Sequence, residues 1–295
     1  MPGPAQPFLA HVATGLTSLC RAWALTRKDG QAFGFTDHDR DLTFEGLSFK
    51  AGSGLTARAL QQATGLAVDN TEALGALSDA AIREDEIAAG RFDGADVRCW
   101  LVNWQDISVR WLQFRGSIGE LRRAGGAFEA ELRGLSEALN QPLGRIYQKP
   151  CTAVLGDTNC GFDLNTPGYA EERAVERSEE GRDFFWDDLS GFEPEWFTRG
   201  RLTVLDGVAR GLWSAIKQDR SEGQQRRIVL WEPLRAAIAP GDMVRLEAGC
   251  DKRMETCRLK FNNLLNYQGF PDIPGEDWVM SVPRSSGINT GGSRR

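Results

Sequence analysis

The sequence predicts a chain that is mainly β, with a few short helices. Two observations support this prediction. Short apolar segments alternate along the chain with turn signals such as Asp29-Gly30 and Asp206-Gly207, where glycine supplies the positive φ of a tight turn. Helical periodicity is limited to a few short stretches. With 295 residues, of which 41% are hydrophobic, the chain is long enough to bury a core without covalent cross-links.

The first half of the chain contains most of the predicted elements. In chain order they are a helix over 8–19, a hairpin over 22–35, a helix over 78–89, strands over 96–104 and 109–114, a hairpin over 119–132 and a helix over 135–141. Asp29-Gly30 and Gly125-Gly126 are the turns of the two hairpins. Ser78 is the predicted N-cap of the second helix, and Pro142 ends the third.

The second half repeats this style. Apolar segments at 200–205 and 208–213 flank Asp206-Gly207 and predict another pair of strands joined by a tight turn. Further strands are predicted at 226–231 and 243–247. The last of these places Cys250 just beyond a strand end.

We divide the chain into two β-rich domains and a tail. The predicted N-terminal domain covers residues 1–148, and the second domain covers residues 149–283. Residues 284–295 are rich in Gly and Ser, which predicts a flexible tail or a strap that orders against a partner.

Four cysteines form two close pairs that only a folded chain could bring together. Cys151 and Cys160 have eight residues between them, and Cys250 and Cys257 have six. Neither pair has the two-to-four-residue spacing typical of structural zinc sites. A [4Fe-4S] cluster accepts wider and more irregular spacing. From spacing alone, a shared metal site, buried free thiols and disulfides all stay open.

The other two cysteines fit a packing role. Cys20 and Cys99 each lie in an apolar segment and have no partner nearby in the sequence. Free cysteine is among the most buried residue types, so we expect both to pack as small hydrophobic residues.

Composition and charge exclude several classes of protein. The sequence has no apolar run long enough for a membrane span and no basic residue before Arg21 that could form a secretory signal, which predicts assembly in the cytoplasm. A reducing cytosol disfavours disulfides and so favours a metal site for the paired cysteines. The net charge of −6, without a basic block, argues against tight phosphate binding.

Catalytic motifs are scarce. The sequence has two histidines, His11 and His38, and lacks the GxSxG, HExxH and P-loop patterns. The Asp37-His38-Asp39 triplet could bind a cation or share a proton, but such a loop is more often a solvated turn with internal hydrogen bonds.

Several of these motifs together resemble the tail-tip hub protein family of tailed phages and gene transfer agents. The resemblance runs over nearly the whole chain, to about residue 283. Around the four cysteines, the chain is also similar, more distantly, to the minor tail tip protein of lambda-like phages. The segments that carry it are 34–42 and 49–54, the Cys151/Cys160 and Cys250/Cys257 pairs, 260–263 and 266–271.

The resemblance implies a fold and an assembly. The fold would comprise two tail-tube-like β-barrel or sandwich domains, with an iron–sulfur binding region. The assembly would be a homotrimer between the distal tail protein and the large tip fibre protein, with DNA passing through its lumen. Carried over residue by residue, a [4Fe-4S] cluster would be held by Cys151, Cys160, Cys250 and Cys257, with zinc as the alternative metal. Two similar domains in each of three subunits would match a sixfold tube to a threefold tip.

We therefore predict a structural hub rather than an enzyme, made in the cytoplasm and then carried in the released phage-like particle. One alternative is a metal-dependent redox or hydrolytic enzyme that uses the four cysteines or the Asp37-His38-Asp39 loop. Another is a cell-wall-binding or receptor-binding module with aromatic side chains exposed in a groove. Nine tryptophans permit this, but several of them fall in strand patterns typical of core or interface residues. The sequence has no flavin or nicotinamide fingerprint that would favour redox chemistry.

Overall fold

The structure, a computed structural model, describes residues 4–51, 55–57, 70–75, 83–124, 127–134, 144–223 and 225–273. Within these ranges the chain forms two β-sheets and three short α-helices. The predicted fold class, mainly β with a few short helices, is therefore confirmed. None of the helices in this part of the chain has the length and apolar character needed to span a bilayer.

The first sheet has nine strands in the described residues, in the order β3-β4-β2-β1-β7-β8-β9-β6-β5. Their bounds are β1 Leu19–Thr26, β2 Ala32–Thr36, β3 Leu42–Phe44, β4 Leu47–Lys50, β5 Leu55–Ala57, β6 Asn70–Gly75, β7 Asp96–Asn103, β8 Arg110–Ala124 and β9 Ala127–Gly134. The helices α1, Gln6–Ala13, and α2, Glu84–Ala88, belong to the same half. Neighbouring strands are antiparallel, except that β2 and β4 are parallel.

Alternation along β1 explains why this sheet has two apolar faces. Trp23 and Leu25 join one buried cluster, whereas Ala22 and Ala24 join another. Successive side chains of a strand point to opposite faces, so one apolar strand contributes to both clusters. The predicted hairpin is confirmed: β1 pairs with β2, and Gly30 has φ +88°.

The helix predictions are only partly correct. The helix predicted over 8–19 ends at Ala13, because Gly15 takes a left-handed backbone with φ +71° and Leu19 already begins β1. The helix predicted over 78–89 is described only from Glu84 to Ala88, and its predicted cap Ser78 lies outside the described residues. The helix predicted over 135–141 also lies outside them.

The second sheet has seven strands in the order β10-β16-β13-β14-β15-β12-β11, again counted over the described residues. Their bounds are β10 Ala170–Ala174, β11 Arg177–Glu179, β12 Asp183–Trp186, β13 Arg201–Val204, β14 Trp213–Glu222, β15 Gln225–Leu230 and β16 Met243–Glu247. After β16 come α3, Met254–Leu259, and a 3₁₀ turn, Leu264–Asn266.

The second sheet curls around its core as a half-barrel. One buried cluster draws on strands from across the whole sheet, including Phe184 of β12, Ile228 of β15 and Leu246 of β16. The Trp186 indole N–H donates to the Ala174 carbonyl (2.8 Å) and so links β12 to β10, which stands at the opposite edge of the sheet.

One strand prediction in this half is wrong. The strand predicted over 208–213 does not form there, because residues 208–212 are turn and loop and β14 begins only at Trp213. Asp206 does not close a two-residue hairpin: its carboxylate accepts from the backbone N–H of Met243 (2.6 Å). Gly207 and Gly211 both have positive φ, which lets the chain form a wider loop. The strand predicted at 243–247 agrees with β16.

Candidate functional site

The four paired cysteines lie around one small cavity. Cys151 and Cys160 come from the irregular segment before β10, Cys250 follows β16, and Cys257 lies in α3. All four are free thiols, so the disulfides that the sequence left open do not form. The fold therefore brings together two pairs that are far apart in the sequence.

Contacts through Lys252 join the two cysteine loops. The Cys151 N–H donates to the Lys252 carbonyl (2.8 Å), and Lys252 Nζ donates to the Ala153 carbonyl (2.5 Å). Tyr267 O–H donates to the Lys149 carbonyl (2.7 Å) on the same side. These bonds fix the position of Cys151 against the loop that carries Cys250.

Asp157 shapes the loop that carries Cys160. Its carboxylate accepts hydrogen bonds from the backbone N–H groups of Cys160 (2.6 Å) and Val154 (2.9 Å). These bonds favour the charged carboxylate and hold the pKa of Asp157 below its usual value, the bond from Cys160 being the main cause. The Gly161 N–H donates to the Asp157 carbonyl (2.8 Å), and Gly161 has φ +62°. The turn therefore fixes the chain on both sides of Cys160.

Gly249 places Cys250 against the neighbouring chain. A Cβ at this position would lie 1.7 Å from the Thr198 carbonyl oxygen and 2.9 Å from the Gly200 nitrogen. Both are backbone atoms, which have little freedom to move. Only glycine allows the chain to pass Thr198 so closely on its way to Cys250.

We expect Gly249→Ala to lower the free energy of unfolding by about 3 kcal/mol, because the added methyl group forces the backbone apart. Chemical denaturation monitored by tryptophan fluorescence would measure this change. Gly191→Ala is the matched control, since a Cβ at Gly191 meets nothing within 4 Å and the φ there is not left-handed. Equal stability of the two variants would contradict the prediction.

Burial favours the protonated thiol at two of the four cysteines, Cys250 and Cys257. Burial raises the pKa of Cys257 to about 11, and repulsion from Cys250, Cys151 and Cys160 adds to this. Burial also raises the pKa of Cys250. Since thiolates are the metal-binding form of cysteine, a metal at this site has to displace protons, and its affinity falls as the pH falls.

A half-buried cation, Lys260, lies beside the site. Lys260 Nζ donates to the carbonyls of Trp196 (2.6 Å) and Gly249 (3.0 Å) and lies 4.1 Å from the centroid of the Trp196 ring. Burial lowers the pKa of Lys260 to about 8, while the Cys250 thiolate acts against this shift. Lys260 can therefore offset negative charge on the thiolates.

The cysteine donor set and its surroundings fit a thiolate-bound group, but the geometry does not identify the group. The cavity wall combines the four sulfurs with apolar side chains such as Leu155 and Phe261. Among the described residues, no three His, Cys, Asp or Glu side chains are arranged as a site for a single metal ion. The zinc alternative gains no support from this arrangement, and the iron–sulfur region stays a prediction.

The Asp37-His38-Asp39 loop forms a hydrogen-bonded turn in the first sheet's half. Asp37 accepts from the Arg21 N–H (2.6 Å), and the Asp39 N–H donates to His38 Nδ1 (2.6 Å). The His38 ring packs edge-on against Trp104, with 5.1 Å between centroids. These contacts match the structural alternative for this loop.

The two remaining cysteines are packing residues, as predicted. Cys20 is 8% exposed and Cys99 is fully buried. Burial raises the pKa of Cys20 to about 11 and that of Cys99 further still. Both thiols therefore stay protonated and belong to the apolar clusters of the first sheet.

Sequence reasoning identified the four cysteines but gave no role to the residues around them. Lys260, Asn263 and Gln268 all lie in the 260–263 and 266–271 segments, which carried the family resemblance. In the structure each of them makes a hydrogen bond to a cysteine or to the chain beside one. The sequence therefore singled out these two segments, but the role of each residue in them depends on contacts with distant parts of the chain.

Comparison with known proteins finds a phage family model on each half of the chain. Residues 5–163 match the family described as baseplate hub protein, N-terminal attachment domain. Residues 195–277 match the family described as phage conserved hypothetical protein BR0599. A search of curated proteins finds no match.

A solved structure agrees with these matches. A chain of the structure described as the virion of a native gene transfer agent particle is 54% identical, with a TM-score of 0.91. The similarity covers 98% of this chain and 99% of that one. The chain therefore belongs to the tail-tip hub protein family of tailed phages and gene transfer agents.

Proposed function

We propose that this protein is the structural hub of a phage-like tail tip or baseplate, joining the distal tail protein to the large tip fibre protein. The observation that carries the proposal is the similarity, over nearly the full length of both chains, to a chain of a gene transfer agent virion. The match of residues 5–163 to a hub attachment domain supports the same role. After assembly in the cytoplasm the protein would leave the cell as part of the particle.

We further propose that the hub is a homotrimer. The described residues form one nine-stranded and one seven-stranded sheet, so three copies would contribute six β bodies around one axis. Closed rotational symmetry of this kind would match a sixfold tail tube to a threefold tip.

The charge of the chain suits a DNA conduit. The chain is acidic overall, with a net charge of −6, and an acidic lumen would repel phosphates, whereas tight phosphate binding would slow DNA in transit. We propose that DNA passes through the lumen of the ring without specific binding.

The four thiols would hold a [4Fe-4S] cluster with a structural role. Such a cluster, when bound, supplies strong iron–thiolate bonds to all four cysteines. It would tie Cys160 to Cys250 across residues 161–249 and, by analogy with disulfide loop closure, contribute about 4–5 kcal/mol of chain entropy. Zinc is the alternative occupant. Lys260 beside Gly249 would balance the charge of the thiolates.

Metal analysis tests this part of the proposal. Protein purified without oxygen should be brown and should carry about four irons per chain. Stoichiometric zinc without iron would replace the cluster but keep the site. Absence of metal, with four independently reactive thiols, would contradict both.

An assembly experiment tests the hub role. Loss of the protein should yield particles without a complete tail tip, visible by electron microscopy and by the protein composition of the particles. His38→Ala should act through folding or subunit contact, because the His38 ring packs against Trp104 and the loop is held by internal hydrogen bonds.

The enzyme alternative makes a different prediction for the same variant. If His38→Ala gives particles of normal shape and composition that fail to deliver DNA, the purely structural role is wrong. The Asp37-His38-Asp39 loop would then act chemically during entry.

A further inference from the structure

The segment after α3 lies against both cysteine loops, and its Tyr267 hydroxyl lies 3.3 Å from the Lys252 carbonyl oxygen of the second loop. The Gln268 N–H donates to Cys151 Sγ (3.4 Å), and the Phe270 N–H donates to the Gln148 carbonyl (2.9 Å). Asn263 stands at the start of this segment. These hydrogen bonds therefore hold the segment against the wall of the cavity.

Asn263 contacts one cysteine from each pair. Its Nδ2 donates to the Cys160 carbonyl (2.7 Å) and lies 3.5 Å from Cys160 Sγ. Its backbone N–H donates to the Cys257 carbonyl (3.0 Å), and its carbonyl accepts from the Cys257 thiol (3.3 Å). One residue thus links two thiols that belong to different loops.

A second asparagine fixes the orientation of this amide. Asn266 Nδ2 donates to Asn263 Oδ1 (2.7 Å), which commits the oxygen of the Asn263 amide. Its nitrogen therefore faces Cys160, as the hydrogen-bond network requires. The side chain at position 263 must accept from Asn266 at one end and donate to Cys160 at the other, which an amide can do.

We propose that Asn263 is a positioning residue, which holds the Cys160 thiol beside the Cys257 thiol and so completes the four-thiol ligand set. This inference rests on the proposed function, since it takes the four thiols to serve one metal group. Hydrogen bonds from outer residues orient metal ligands and tune the bound metal, and their loss weakens metal binding without removing a ligand. Asn263 would do so for two ligands at once.

The test compares two neighbouring asparagines. Asn263→Asp keeps the size of the side chain and an oxygen for Asn266 but removes the donor to Cys160. Asn262→Asp adds the same charge one residue away, at an exposed side chain for which the described residues show no hydrogen bond. The readout is the rate at which a short bifunctional thiol reagent, dibromobimane, joins Cys160 to Cys257 in the metal-free full-length protein, measured by peptide mass spectrometry.

We expect Asn263→Asp to slow this cross-link about tenfold, the change that corresponds to loss of one net hydrogen bond of about 1.4 kcal/mol. The link between Cys151 and Cys250 is the internal reference and should keep its rate. After reconstitution with iron and sulfide, the iron affinity of the variant should fall about 10- to 100-fold. The Asn262→Asp protein should behave as the parent in each measurement.

The outcomes separate this inference from the proposed function. Equal Cys160–Cys257 cross-linking in the two variants would overturn the positioning role. A difference in cross-linking without any iron in the parent protein would remove the proposed cluster and leave the positioning role standing. If Asn263→Asp does not fold, Asn266→Ala provides the second test: it should slow the same cross-link by a smaller factor, and an unchanged rate would overturn the inference.

Discussion

Replacing Arg226 with methionine should lower the free energy of unfolding by about 3–5 kcal/mol, the cost of breaking a buried ion pair from one side. Arg226 and Asp219 form a two-point ion pair, with Nε–Oδ1 at 2.6 Å and Nη2–Oδ2 at 2.7 Å. Their side chains are 4% and 0% exposed. The variant leaves the Asp219 carboxylate buried without its cation, and water cannot reach it.

Arg226 also holds the loop between β12 and β13, which contacts the cysteine site through Trp196. Its guanidinium donates to the carbonyls of Phe192 (2.7 Å) and Glu193 (2.6 Å), while Asp219 accepts from the Phe197 N–H (2.9 Å). Trp196 precedes Phe197 in the chain, and its backbone carbonyl accepts a hydrogen bond from Lys260 Nζ. Loss of Arg226 should therefore loosen the half-barrel and the cysteine site together.

Two comparisons check this prediction by chemical denaturation. Arg235→Met removes an exposed ion pair with Asp93 and should cost about 0–1 kcal/mol, because solvent screens such pairs. The double variant Arg226→Met, Asp219→Leu should recover part of the loss, since it leaves no unpaired buried charge. If Arg226→Met were no more destabilising than Arg235→Met, the buried pair would not be a main contributor to stability.

Local sequence patterns predicted the strands best where each strand is followed by a tight turn. The hairpin of β1 and β2 and that of β8 and β9 follow from alternating apolar residues around Asp-Gly and Gly-Gly. The pattern failed at Asp206-Gly207, where the aspartate binds Met243 from a distant part of the chain. The helix predicted over 8–19 also failed after Ala13, because Leu19 pairs with Asn103 as the first residue of β1. The first error came from a tertiary contact that overrode local preference, and the second came from the left-handed Gly15 together with the strand pairing of Leu19.

The candidate site shows the same limit. The pairs Cys151/Cys160 and Cys250/Cys257 could be identified as partners from spacing and resemblance, and the structure brings all four to one cavity. The Arg226–Asp219 pair could not be predicted, because a single arginine and aspartate on two strands look like surface residues in the sequence. The roles of Lys260 and Asn263 likewise depend on which backbone groups the fold places beside them.

Cys20, in the first sheet, provides the control for the proposed metal site. Cys20→Ala removes a buried thiol that donates to the Val102 carbonyl (3.6 Å) in an apolar cluster. It should cost about 1–2 kcal/mol as a core truncation and leave the metal content unchanged. Any effect on bound metal that Cys20→Ala shares with a ligand variant would come from general destabilisation.

On the proposal that the four thiols hold one cluster, Cys257→Ser should abolish metal binding and destabilise the second half of the chain. The hydroxyl is a poor ligand, so the proposed cluster would lose one of its four anchors and the cross-link between the two cysteine loops would be lost with it. Iron should fall from about four atoms per chain to none, and the melting temperature of the anaerobic protein should drop with it. Relative to the metal-loaded parent, the variant should lose about 4–5 kcal/mol of unfolding free energy, the chain-entropy value of the cross-link. Relative to the metal-free parent, it should lose none. If Cys257→Ser and Cys20→Ala retain the same amount of metal, the assignment of the four ligands is wrong.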